Sequence, residues 1–290
     1  MNILSIQSWV AYGHVGNAAA VFPLQSLGHE VWAIHTVQFS NHTGYGAWTG
    51  MVTPPDTIAG LVDGMAARGA LAGVGAVLSG YVGDPATGDA ILGAVRRVRD
   101  ARQDALWCCD PVIGDVGRGV FVRPGVAEFF ANQAVKQADI LTPNLFELGR
   151  LTGAPDITTE VRALAAAEAL AARMRPAGPR IVAVTSLDLD DTPADALDLL
   201  VLHGDHRTRL RTRRLDVQVN GAGDLIAALF LHHVCAGADA ATALRRAASS
   251  VWSVLEATRP DPVTDRGELA LIAARDAIAN PTVEILAWQV

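Results

Sequence analysis

From residue 2 onward the stretch NILSIQSW alternates between apolar and polar positions and is rich in β-formers, a period of two that predicts a strand. GHVGNAAAVFPLQSLG then supplies glycine turns, an alanine-rich helix and a glycine stop, and EVWAIHTVQFS reads as a second strand. After the polar, aromatic segment NHTGYGAWTGMVTPPD, a helix is predicted from Asp56 towards Arg68. AVLSGYVG, ALWCCDPVI and PRIVAVTSL read as further strands, ATGDAILGAVRRVRDA and EVRALAAAEALAARM as helices, and ADILTPNLFELGRLTG as a short strand leading into a helix. Strands and helices alternating at this length imply an α/β fold, with a mostly parallel central sheet covered by helices on both faces. From Asp195 to Val219 the pattern changes to two short strands, ALDLLVLHG and HRTRLRTRRL, predicted to pair antiparallel at one edge. Three helices follow: LIAALFLHHVCAG, DAATALRRAASSVWSVLEATR and GELALIAARDAIA. Neither a composition break nor an internal repeat divides the chain, so one domain over residues 1–290 is expected.

Composition narrows the class. The 290 residues are 50% apolar and 18% charged, enough for a sizeable buried core. A net charge of −7 speaks against a nucleic-acid partner, because phosphate binding needs a basic footprint. The one basic cluster, RTRLRTRR at 207–214, has arginines at alternate positions; a solvated strand face is expected, with a nucleotide-phosphate contact as the other reading. Three cysteines, two of them adjacent in ALWCCDPV, make no disulfide framework and fit a reducing cytoplasm. The N-terminus does not read as a signal peptide, and no segment reaches the ~18 uninterrupted apolar residues of a membrane span.

The chemistry collects after the strands. In an open parallel sheet, ligands bind at the carboxyl ends of the strands. There the chain places Ser8, the SNHTGYG loop, Tyr81, Asp110, Thr142 with Asn144 and Glu147, Thr185 with Ser186, and Asp224. Neither a GxxxxGK[ST] loop nor a GxGxxG turn after a strand is present, so any phosphate site must be built otherwise. NGAGD, at 220–224, precedes an apolar helix. Its glycines free the backbone, and the helix start adds unpaired amides and positive charge, so residues Gly221, Ala222 and Gly223 can cradle an anion with Asp224 at the edge. The other reading of Asp224 is a helix cap. In PNLFE, Asn144 and Glu147 share a helix face; they suit either a capping box or, with Asp110, hard oxygen ligation of Mg²⁺.

Taken together, QSWVAYGHVGNAAAVFPLQSLGHEVWAIHTVQFSNHTGYGAWTG, VLSGYVGD, CDPVIGD, TPNLFEL and NGAGDLIAALFL closely resemble the pyridoxal kinases, members of the ribokinase-like superfamily. NxxE and GAGD mark the superfamily; TVQFSNHTGYG and GHVGN mark the pyridoxal kinases. The resemblance implies ATP-dependent phosphorylation of the 5′-hydroxyl of pyridoxal, giving pyridoxal 5′-phosphate. It implies Ser8 and Thr43 as hydrogen-bond partners of the pyridine ring, and Val37, Phe39, His42, Gly44 and Tyr81 around it. Asp224 then corresponds to the general base, and Gly221 to Gly223 to the amides that hold the γ-phosphoryl. Asp110, Thr142, Asn144, Glu147, Thr185 and Ser186 correspond to the ATP side, with Asp110 and Glu147 acting on Mg²⁺, in part through water. A monovalent cation (K⁺) and a homodimer are also implied. Some bacterial members carry a lysine after the strand matching IVAVTSL; here Thr185 and Ser186 stand there, as in the mammalian type. The acidic segment 188–198 falls where the nucleotide-covering region of the family varies and is expected to be a solvated loop. The alternatives are a hydroxymethylpyrimidine kinase on the same fold, whose family opens differently from SWVAYGHVGN, a non-catalytic vitamin B6-binding protein, and a sugar or nucleoside kinase, which leaves SNHTGYG unexplained.

Overall fold

Apolar side chains on both faces of the central strands require cover from both sides, and the helices supply it. The computed structural model describes residues 1–154, 156–260 and 267–290. Strand β1 (Asn2–Tyr12) leads through a glycine turn into α1 (Asn17–Ser26) and then β2 (Glu30–Asn41). A short strand β3 (Gly50–Val52) precedes α2 (Pro55–Ala67), whose proline sits in the first turn, where no amide partner is lost. Next come β4 (Val74–Ser79), α3 (Pro85–Ala101) and β5 (Leu106–Cys109); the Asp84 carboxylate caps α3 by accepting from the Ala86 amide. A small hairpin of β6 (Gly114–Asp115) and β7 (Gly119–Val120) and the single turn α4 (Val126–Phe129) follow. The chain continues through β8 (Ile140–Leu141), α5 (Leu145–Thr152), α6 (Glu160–Arg173) and β9 (Ile181–Leu187). After β10 (Ala196–His203) and β11 (His206–Arg213) come α7 (Ala222–Cys235), α8 (Ala240–Ala257), α9 (Arg275–Ala279) and β12 (Leu286–Gln289).

Among the described residues ten strands form one sheet in the order β12-β11-β10-β9-β8-β5-β4-β1-β2-β3. The six from β9 to β2 in that order run parallel. The antiparallel edge of β10 and β11 is present as expected, extended by β12, and a second antiparallel edge is made by β3. Alternation along β1 shows the two cores: Leu4 and Ile6 pack with α2, α3, α5 and α6, whereas Ile3 packs with α1, α7 and α8. Cys108 and Cys109 are buried on β5 and, like Cys235, are free thiols. Among the described residues no helix is long and apolar enough to cross a membrane.

Three expectations need correction. Only Arg275–Ala279 of the third C-terminal helix is helical, and residues 271–274 form turns. The arginine face of β11 is solvated only in part: Arg213 is exposed and Arg207 and Arg211 are half-buried, but Arg209 at its centre is not solvated. Arg209 is 1% exposed and its guanidinium donates to Asp198, to Asp191 at 2.7 Å and to Glu160 at 2.9 Å, while Arg211 donates to Asp198 at 2.7 Å. Both guanidinium groups lie over the Trp288 ring of β12. The acidic segment 188–198 therefore supplies the counter-charges of that face through Asp191 and the fully buried Asp198, although its remaining acids face solvent. Alternating arginines mark a solvated face only when no carboxylates are folded over them, and these come from other elements. Asp198→Ala leaves two guanidinium groups short of their shared acceptor and is expected to destabilise the fold by about 3–5 kcal/mol, as for other broken buried pairs; the urea unfolding midpoint measures it.

Candidate active site

The strand order reverses between β1 and β4: the chain steps one way from β1 to β2 and the other way from β4 to β5, β8 and β9. Such a switch point opens a crevice at the carboxyl ends of the strands. A cavity of about 120 Å³ lies there, lined by Ser8 and Val10 of β1, Val37 and Phe39 of β2, and Tyr81 just after β4. His42 and Thr43 close one side, and Asn220 and Gly221 another. Between Gln7 and Trp9 the register of β1 against β2 slips by one residue, so Thr36 and Val37 are buried in succession, with Ser8 at the irregularity. Thr36 donates its hydroxyl to the Tyr81 carbonyl at 2.9 Å, joining the β2 wall to the β4 wall.

NGAGD forms the start of α7. Gly221 has φ 91°, and a Cβ there would run into the His14 carbonyl, so both the turn and the close approach require glycine. Asp224 sits in the first turn of α7, three positions after Gly221; like Ala222 and Gly223, it does not itself line the cavity. Burial pushes its carboxyl up to about 6, with the Gly16 amide and its own amide pulling the other way. Gly80, after β4, makes room beside it: a Cβ there would lie 2.5 Å from Gln7 Oε1 and 3.5 Å from Asp224 Oδ1. Among the described residues, Gln7 Oε1 is buried without a hydrogen-bond partner.

The second group of predicted residues lies further along the strand ends. Asp110 follows β5, is buried, and accepts from the Thr142 hydroxyl at 2.9 Å. Desolvation, then the charges of Glu147 and Asp224, hold its carboxyl well above the usual range. The capping box is real: Asn144 accepts from the Glu147 amide, and Glu147 Oε2 accepts from the Asn144 amide, each at 2.9 Å. Glu147 Oε1 also accepts from the Ile113 amide at 2.8 Å, which ties the turn after β5 to α5. Burial pushes Glu147 up to about 8 against these amide donors. Thr185 bridges to Asn144 through its backbone, and Ser186 takes the left-handed region at φ 53°, outside the cavity lining. The described residues contain no group of three or more His, Cys, Asp or Glu that could hold a metal ion. Two buried carboxylates, Asp110 held up in part by the charge of Glu147 and Glu147 in part by that of Asp115, do suit a hard cation whose remaining ligands are water and phosphate.

Over residues 49–265 the chain matches the family described as phosphomethylpyrimidine kinase. It is 56% identical to pyridoxal kinase PdxY of Granulibacter bethesdensis over 282 residues, covering 97% of each chain. Against pyridoxal kinase PdxY of Deinococcus radiodurans the identity is 53%, covering 97% of this chain and 93% of the relative. The chain belongs to the pyridoxal kinase family. A solved structure of the pyridoxal kinase from Leishmania donovani in complex with ADP and pyridoxamine superimposes with a TM-score of 0.89 at 28% identity, covering 100% of this chain and 99% of that one. The architecture is thus ribokinase-like.

Within this pyridoxal kinase fold, Ser8, Val37, Phe39, His42, Thr43, Tyr81 and Gly221 converge on one cavity. Gly44 lies just behind it, where a Cβ would meet His42 and the Asn220 amide. Val10, Val15, Val112 and Asn220, which lie inside the motifs quoted above, also line the cavity, as do Arg118 and Phe121, which lie outside them. Arg118, at the tip of the β6–β7 hairpin, reaches across to donate to Asn220 Oδ1 at 3.1 Å.

Proposed function

We propose that the chain, acting as one domain over residues 1–290, transfers the γ-phosphoryl of ATP to the 5′-hydroxyl of pyridoxal, giving pyridoxal 5′-phosphate. The observation that carries this reading is the apolar cavity for one ring placed directly beside a helix start bearing Asp224. Its volume of about 120 Å³ is near the ~150 Å³ of an apolar cavity that takes benzene, and valine and phenylalanine walls favour a flat ring over a sugar. The relatives' names supply the choice of ring.

Loose phosphoryl transfer needs positioning and charge stabilisation more than covalent help. Ser8 and Thr43 hydrogen-bond the pyridine ring, and Val37, Phe39, His42 and Tyr81 hold it. Asp224 takes the proton of the 5′-hydroxyl. The amides of Gly221, Ala222 and Gly223 meet the charge on the transferring group. Asp110, Thr142, Asn144, Glu147, Thr185 and Ser186 face the nucleotide. Asp110 and Glu147 would hold Mg²⁺, Glu147 through water because both its oxygens already accept amides; the ion offsets phosphate charge. K⁺, a homodimer and a cytoplasmic location complete the reading.

Asp224 must be ionised to accept a proton. With its carboxyl at about 6, kcat/KM for pyridoxal is expected to fall as pH drops through about 6 and to level off above it. A pH–rate profile without this acid limb contradicts the base assignment.

The family description favours one second reading, phosphorylation of hydroxymethylpyrimidine, another single ring with a hydroxymethyl group. Rates on pyridoxal, pyridoxine, pyridoxamine and hydroxymethylpyrimidine, each with ATP, with and without Mg²⁺ and K⁺, separate the two. Pyridoxal as the best substrate supports the proposal, and the pyrimidine as the best substrate overturns it. Binding without turnover on all four makes the chain a vitamin B6-binding protein.

A further inference from the structure

Glu268 does not line the cavity, yet its carboxylate gathers two of the loops that shape it. Oε1 accepts from the Tyr45 hydroxyl at 2.8 Å and from His42 Nε2 at 3.1 Å, and Oε2 accepts from the His14 amide at 2.9 Å. His42 belongs to the loop after β2, and His14 to the turn between β1 and α1 that also carries Gly16 beside Asp224. Burial alone raises the Glu268 carboxyl, but hydrogen bonds from His42, Tyr45 and His14 outweigh it and hold the group below the usual range. An ionised carboxylate only accepts, so His42 Nε2 must donate. The Tyr45 ring stacks on His42 with centroids 4.4 Å apart, which fixes the imidazole plane. His42 Nδ1 is buried and has no partner among the described residues; it lies beside Gly44, where a Cβ would be 2.9 Å from it and 2.8 Å from Asn220 Nδ2.

We propose that Glu268 is a positioning residue for the ring substrate: acting through His42 and Tyr45, it clamps the loop after β2 onto the turn after β1 and orients the His42 imidazole in the cavity wall. The inference rests on the reading of the cavity as the ring site. With its Nε2 proton held by Glu268, the imidazole turns Nδ1 towards the Gly44 loop and Asn220, in the wall that faces the substrate. The residues on the nucleotide side, Asp110, Thr142 and Glu147, make none of these bonds. Losing the clamp therefore acts on the ring substrate and spares ATP.

Pyridoxal titration by fluorescence, together with separate KM values for pyridoxal and ATP, tests this on Glu268→Ala, Glu268→Gln, His42→Ala and the Glu268→Ala/His42→Ala pair. Glu268→Ala is expected to weaken pyridoxal binding by about tenfold or more, the scale of a lost charged hydrogen bond, with KM for ATP within about twofold. Glu268→Gln keeps an accepting oxygen and should fall between. The double variant should bind little worse than His42→Ala, because both changes break one unit. Equal rises in both KM values, or additive losses in the pair, overturn the proposal, as does unchanged pyridoxal affinity in Glu268→Ala. The same series with hydroxymethylpyrimidine keeps the two readings apart: a native protein that ignores pyridoxal but loses the pyrimidine on Glu268→Ala contradicts the substrate assignment and upholds Glu268.

Discussion

Asp224→Asn is expected to lower kcat for pyridoxal by about 10²- to 10⁴-fold, the usual contribution of a positioned general base. Asparagine keeps the shape of the side chain and its place in the first turn of α7, so pyridoxal and ATP should still bind. The same change is expected to raise stability at neutral pH. An aspartate at about 6 in the folded chain and near 3.8 when unfolded binds more protons folded than unfolded between those values. Stability from this group is therefore present at low pH and is lost as pH rises through about 6. Removing the charge relieves that loss, so the variant should melt higher than the native protein above pH 6 and show no such gain near pH 4. Asp224 does not cap α7, whose N-cap is Gly221 without a side-chain bond; an Asp224 with only a structural role in the first turn predicts the opposite pair of results, with activity kept and the melting temperature lowered. Activity and thermal unfolding on one preparation distinguish the two.

Gly221→Ala carries the second large effect. The native φ of 91° disfavours any Cβ, and an added one would meet the His14 carbonyl, so the turn that aims the first amides of α7 must move. Amides that stabilise developing charge are worth about 10²- to 10³-fold each, and a displaced cradle is expected to lose kcat on that scale. The control is Gly204→Ala in the β10–β11 turn: φ there is 57°, and a Cβ meets nothing within 4 Å among the described residues, so this variant has the backbone penalty without the clash or the site. Loss of kcat in Gly221→Ala beside near-native kcat in Gly204→Ala places the effect in the cradle. Similar activity in both would remove the cradle from the account.

Much of this architecture was legible because local pattern and tertiary role coincide. The period of two in NILSIQSW reflects the two cores that β1 divides, and the unbroken apolar run IVAV at the start of β9 reflects burial on both faces. NGAGD and PNLFE were readable for the same reason: a helix start displays its capping and amide chemistry in consecutive residues. The rest depends on distance along the chain. β3 has three residues in a glycine- and threonine-rich stretch, and β12 four at the far edge, too few for a periodic signal. Arg209 looked solvated because Glu160, Asp191 and Asp198 approach from a helix, a loop and the neighbouring strand. Glu268 meets His42 across 226 positions, and nothing in GELALIAARDAIA announces that contact. Arg118 and Asn220 likewise acquire meaning only when the hairpin folds across the switch point.

The most direct measurement is the identity of the phosphorylated atom. Native protein is incubated with ATP, Mg²⁺ and pyridoxal, and the product is assigned by phosphorus NMR, with Asp224→Asn alongside. A single monoester on the 5′-oxygen, formed by the native protein and absent from the variant over the same time, is the predicted result. No ester on pyridoxal from a native protein that does phosphorylate hydroxymethylpyrimidine, or equal ester formation by the variant, would contradict the account.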